Sequence, residues 1–166
     1  MTLPSACSEC DFIYAEHKPD QLADEIFAVA GQYPQVLLGD EVMARLRKRP
    51  SPDVWSPLEY ACHVRDVLRV QAERVQLALT QDTPSFAPMG REERVINDKY
   101  NAQDPQRVAE EILAAAARVS EVLELGPREW QRTAVYNYPE AHVVTIEWIG
   151  QNCLHELRHH LIDITE

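Results

Sequence analysis

No stretch of this 166-residue sequence approaches the roughly 20 consecutive apolar residues of a membrane-spanning helix. Its start, MTLPSACSECDF, has no basic segment leading into an apolar run, so no secretory signal is expected. Cysteine is scarce. Cys7, Cys10, Cys62 and Cys153 are too few and too scattered for a disulfide scaffold, and reduced thiols in a cytoplasmic protein are the expectation. Positive charge is short as well: 16 Lys and Arg stand against 27 Asp and Glu, a net charge of −11. Such a chain repels phosphate backbones and anionic lipid, which argues against nucleic acid and membrane as partners. There is no internal repeat, no low-complexity segment, and too little strand-forming sequence for a sheet core.

What is present reads as helix. The apolar share, 45%, is that of one soluble globular domain. Residues 1–19 form a lead-in with a C-x-x-C pair, and residues 20–166 form the domain proper. From Asp20 to Arg49 apolar residues recur at mostly helical spacing, interrupted at Pro34 and Gly39, which predicts one long broken helix or two short ones. Ser56-Pro57-Leu58-Glu59 supplies an N-cap, a first-turn proline and a capping-box glutamate for a helix running to about Leu79. QDTPSFAPMGREER is a connection, with a short helical turn around 91–100. Asp104-Pro105 opens a third helix that Gly126-Pro127 stops, and Thr145 caps a last one through about Ile164. TAVYNYPEAHVV between them is extended or a hairpin-like loop. Four substantial helices with a long middle crossover predict an all-α four-helix bundle.

The last helix has two apolar faces: Trp148, His155, His159 and Ile162 fall within about 60° of one another, opposite Ile146, Cys153, Leu157 and Ile164. The second face needs a cover, which is either a homodimer partner or residues 1–19 and the 128–144 segment. HELRH, residues 155–159, fits the H-E-x-x-H pattern of zinc proteases. Of the seven residues after His159, however, the candidate third ligands are His160, about 100° around the helix, and Asp163 and Glu166 on a fraying helix end, and the supporting sheet has no room. His155 and His159, one turn apart, remain a good metal-binding pair. Spacing leaves the third ligand open among His63, His17 and His142.

WSPLEYACHVRDV (55–67), VINDKYNAQDP (95–105) and TIEWIGQNCLHELRHHLIDI (145–164) together resemble the DinB/YfiT-like superfamily, over most of the chain from about residue 20. The resemblance implies a four-helix bundle holding a divalent metal with three histidines, here His63, His155 and His159. It further implies a thiol S-transferase for detoxification or stress response, using a low-molecular-weight thiol of the mycothiol or bacillithiol type as a metal-bound thiolate against an electrophile. Zinc is the expected ion, with nickel as the alternative. The leader CSECDFIY is similar to one found in actinobacterial members, where the thiol is mycothiol.

Three neutral imidazoles would leave the ion strongly acidic with an open position, equally suited to a hydrolase using water or to a nonenzymatic metal-binding stress protein. Glu156 is a conceivable base in the hydrolase reading, against a plain surface glutamate. Glu59 and Asp66, about one turn either side of His63, are candidates to accept from its ring and fix its tautomer. Asn152 and Trp148 continue the His155 face and are candidate pocket residues, while Arg158 and Lys99 could meet a cofactor carboxylate. Cys7 and Cys10 could bind a separate zinc, form a redox pair, or cap the fold.

Overall fold

The structure is a computed structural model that describes residues 3–137 and 139–166. The segment expected as a broken helix is three pieces: α1 (Pro19–Ala30), α2 (Tyr33–Leu37) and α3 (Asp40–Met43). The breaks fall at Gly31-Gln32 and Leu38-Gly39. Pro34 sits inside the first turn of α2, where its missing N–H has no partner to lose. The helix α4 (Pro57–Thr80) starts on the expected capping box, with Ser56 Oγ accepting from the Glu59 N–H and Glu59 accepting from the Ser56 N–H.

The strand β1 (Ser85–Phe86), the short α5 (Arg91–Asn97) and a 3-10 turn (Tyr100–Ala102) make up the crossover. Then come α6 (Pro105–Val122), capped by Asp104, and α7 (Pro127–Trp130). The strands β2 (Thr133–Asn137) and β3 (Ala141–Thr145) form an antiparallel hairpin onto which β1 adds in parallel, so the extended segment is a small three-stranded sheet beside the bundle. The last helix, α8 (Ile146–Thr165), is capped by Thr145 accepting from the Trp148 N–H.

The architecture is the expected four-helix bundle: α4 packs against α6 and α8, and α1 packs against the same two from the other side. Gly150 permits close approach of α8 to α1, since a Cβ there would lie 3.0 Å from Leu22 Cδ1. Leu22, Ile26, Leu58, Leu68, Ile112, Ile149, Leu154 and Leu157 fill the interior. Among the described residues no helix is long and apolar enough to cross a membrane.

The second apolar face of α8 is covered from within the chain over Trp148, Asn152 and His155. Tyr14 stacks on Trp148 at 6.1 Å and donates to Asn152 Oδ1 at 3.1 Å; Phe12 meets His155 at 5.3 Å; Tyr136 of the hairpin meets Trp148 edge-on at 5.2 Å. Residues 1–19, as far as described, are thus part of the packed structure, with a bridge between Ala6 and Ile13 and a 3-10 turn over Tyr14–Glu16.

Candidate metal centre

The stretch HELRHH at 155–160 contains two pairs at helical i, i+4 spacing, shifted by one residue: His155 with His159, and Glu156 with His160. One residue turns a helix by about 100°, so the two pairs face different neighbours. Glu156 and His160 look toward α4. His155 and His159 look toward the leader.

The α4-facing pair converges on His63. Glu156 Oε2 lies 3.7 Å from His63 Nε2 and 3.4 Å from His160 Nε2, and the donor atoms of all three residues lie within 4.8 Å of one another. In tetrahedral zinc with ligand bonds of about 2.0–2.2 Å, such atoms stand roughly 3.4 Å apart, so little movement would close the set on an ion. His160 Nδ1 lies 2.7 Å from Asp163 Oδ2, the arrangement in which a carboxylate holds the far ring nitrogen of a ligand histidine and presents the near one. His63 is 4% exposed, and its Nδ1 is buried without a hydrogen-bond partner.

Electrostatics follow from this packing. Burial pushes the His63 imidazole below its ordinary pKa, only partly opposed by Glu156, which keeps it neutral. Burial would also depress His160, but Asp163 and Glu156 outweigh it and bring its pKa to about 9. Burial works against the charge of Glu156, yet His155, His160 and His63 hold its carboxyl well below the usual range. Two imidazoles and one carboxylate make a donor set suited to a zinc-like ion with a free position.

A cavity of about 380 Å³ opens on His63 and Glu156. One stripe of α4, residues His63, Val67, Val70, Gln71 and Arg74, forms a wall; Pro88 to Glu93 of the crossover and Tyr136 of the hairpin form the rest. Arg74 is 8% exposed, spans the Tyr136 ring at 4.7 Å and donates to Ala87 O at 2.8 Å, so a cation is fixed inside the cavity.

The leader-facing pair meets Cys7 and Cys10, and these four donor atoms also lie within 4.8 Å of one another. Cys7 Sγ is 3.7 Å from His159 Nδ1. Burial disfavours the Cys7 thiolate, but the nearby His155 ring and the backbone N–H groups of Glu9 and Cys10 prevail and bring its pKa to about 6.

The expected histidine triad is therefore divided: His63 gathers with Glu156 and His160, while His155 and His159 gather with the cysteines. Glu156 is neither a surface glutamate nor a free base, since its oxygens face three histidines. Glu59 does not support His63: both its oxygens take Arg49, at 2.7 and 2.8 Å. Asp66 does not either, because it accepts from Arg65 Nε at 2.8 Å and Tyr100 OH at 2.6 Å. Trp148 and Asn152 lie under the leader and do not line the cavity. His17 is engaged with Glu25 at 2.5 Å, His142 is in β3, and Arg158 lies over the Phe12 ring. Sequence reasoning passed over His160, Arg74 and Tyr136. The spacing of Glu156 and His160 was a usable signal for the first; nothing local marked the other two.

The family model of the DinB superfamily matches residues 38–164. No curated protein matches the sequence. Among solved structures, YfiT from Bacillus subtilis, described as a probable metal-dependent hydrolase with an unusual four-helix bundle topology, superposes with a TM-score of 0.77 at 18% identity, covering 99% of this chain and 90% of that one. The mycothiol-dependent maleylpyruvate isomerase superposes with a TM-score of 0.71 at 15% identity, covering 91% of this chain and 62% of that one. A histidine-to-alanine variant of the isomerase gives the same figures. At these identities the likeness is one of fold.

Proposed function

Because the chain belongs to the DinB superfamily, we propose that it is a divalent-metal-dependent enzyme that joins a low-molecular-weight thiol, of the mycothiol or bacillithiol type, to an electrophile. The observation that carries this reading is the convergence of His160 Nε2 with His63 Nε2 and Glu156 Oε2, the last two belonging to residues that line the cavity. These three residues would hold the ion, zinc or nickel. When bound, the ion supplies Lewis acidity that lowers the pKa of a thiol at its open position.

The chain's own residues provide the remainder. Asp163 fixes the His160 ring so that Nε2 faces Glu156. Burial keeps His63 neutral and ready as a ligand. A cavity of about 380 Å³ has the size of sites that enclose one small organic molecule. Gln71 and Arg74 give it a polar wall for the hydroxyl and carbonyl groups of a sugar-bearing thiol, and Val67, Val70 and Met89 give an apolar one for the electrophile. The fold likeness to a mycothiol-dependent isomerase supports a thiol of that class.

A second reading, hydrolysis by activated water, is favoured by the near full-length likeness to YfiT. Incubating the metal-loaded protein with a panel of thiols and a bimane electrophile separates the two. The expected result is conjugation that needs both thiol and metal and disappears in His63→Ala. Cleavage of ester or amide substrates without thiol would select the hydrolase. No thiol-dependent turnover across several electrophiles would refute the transferase.

A further inference from the structure

The group Cys7, Cys10, His155 and His159 takes no part in the function proposed above. We propose that these four residues form a second, closed zinc site that fastens the N-terminal leader to α8.

The geometry fits a tetrahedral ion. With bonds of about 2.3 Å to sulfur and about 2.0–2.1 Å to nitrogen, neighbouring ligands of zinc stand roughly 3.3–3.8 Å apart. All four donor atoms lie within 4.8 Å of one another, and Cys7 Sγ is 3.7 Å from His159 Nδ1. His155 supplies an independent sign of a ligand: both its ring nitrogens are buried without a hydrogen-bond partner. Coordination would satisfy one of them.

The leader is shaped to present the sulfurs. Cys7 N–H donates to Phe12 O at 2.8 Å, closing a tight loop in which Asp11 takes φ +53°. Within that loop the N–H groups of Glu9 and Cys10 point at the Cys7 sulfur, and that of Phe12 at the Cys10 sulfur. Backbone donors aimed at sulfur stabilise bound thiolates. Glu9 Oε2 lies 3.4 Å from His159 Nε2, where it can accept from the outer ring N–H while Nδ1 faces the cysteines.

Two thiolates and two imidazoles complete a four-coordinate ion, which leaves no position for substrate and makes the site structural. Loading displaces the protons still held by the two thiols and the two imidazoles to solvent and involves no redox change. Glu156 lies between the two sites, Oε1 being 3.6 Å from His155 Nδ1 while Oε2 faces His63 and His160. Fastening the leader to α8 thus closes the back of the catalytic metal set.

The test is metal content combined with cobalt substitution. The wild-type chain should hold two zinc equivalents, and its cobalt form should show thiolate-to-cobalt charge transfer with intense tetrahedral bands. Cys7→Ser/Cys10→Ser should retain one equivalent and lose the charge-transfer band. His63→Ala/His160→Ala should retain one and keep it. Should the cysteine variant fail to fold, thiol titration of the wild-type chain serves instead: a chelator should expose two further reactive thiols, with Cys62 and Cys153 buried and silent. A metal-loaded wild-type protein without the cobalt–thiolate band, or with both leader thiols equally reactive before and after chelation, overturns the proposal. The thiol-transferase reading fails separately, by lack of turnover while the cobalt–thiolate band persists.

Discussion

Replacing Asp66 with alanine should be among the most damaging substitutions in the chain that touch neither metal set. Its carboxylate side chain is 4% exposed and accepts from Arg65 Nε at 2.8 Å and Tyr100 OH at 2.6 Å, with Arg69 and Arg94 at 3.4 and 3.5 Å. Removing it strands a fully buried tyrosine hydroxyl and deprives the buried Arg65 of its nearest counter-charge. Arg65 keeps Gln103 and Glu111, which limits the loss. Two hydrogen bonds involving a charged group, at about 1.5–3 kcal/mol each, sum to about 3–6 kcal/mol, and the partners left to Arg65 hold the cost to about 3–5 kcal/mol, the range for breaking a buried ion pair. For a chain of this size that is a fall of roughly 6–20 °C in Tm, read by calorimetry or circular dichroism.

The pH dependence has a definite sign. Burial raises the Asp66 pKa, but Arg65, Tyr100 and Arg94 more than reverse it, so the folded value lies below the unfolded one near 3.8. The stabilisation is complete above that value and is lost as pH falls through the folded pKa, so the gap between wild type and Asp66→Asn should narrow in strong acid. Arg94 also donates to Met89 O at 3.0 Å, linking Asp66 to the cavity wall. A loss below about 1 kcal/mol for Asp66→Ala would refute this account of the network.

His63→Ala and His160→Ala should each lower metal-dependent turnover at least about 100-fold, and Asp163→Asn about 10-fold through the orientation of His160; steady-state kinetics with metal analysis checks both. Arg49→Met should cost about 1–2 kcal/mol in denaturant melts by unpairing the buried Glu59 carboxylate. Burial raises the Glu59 pKa, but Arg49 and the Ser56 N–H bring it below 4.5, so the difference between wild type and Glu59→Gln should be largest above that pH and shrink below it. Tyr14→Phe, which removes the bond to Asn152, should cost about 1 kcal/mol and hasten hydrogen exchange in the leader.

The helices were legible because their signals are local. Ser56-Pro57 with Glu59, Asp104-Pro105, and Thr145 each satisfy backbone N–H groups within their own turn, and each marks a helix start in the structure. His63 was singled out by the family resemblance, since spacing alone left the third ligand open among His63, His17 and His142; the structure gathers it with Glu156 and His160. The partners of Cys7 and Cys10 were not legible, because about 145 residues separate them from His155 and His159 and a C-x-x-C pair has no local requirement for any particular mate.

The sequence by itself determined that one helix near the chain end carries side chains of metal-ligand type at i, i+4 spacing, because that periodicity belongs to the α-helix. It could not determine which pair faces His63, since HELRHH offers both registers with equal local plausibility. That choice depends on the rotation of α8 about its axis, fixed by Leu154, Leu157 and Ile164 in the core and by Gly150 against α1. Only tertiary packing sets that angle. A turn of about 100° assigns Glu156 and His160 to His63 and leaves His155 and His159 to the cysteines of the leader.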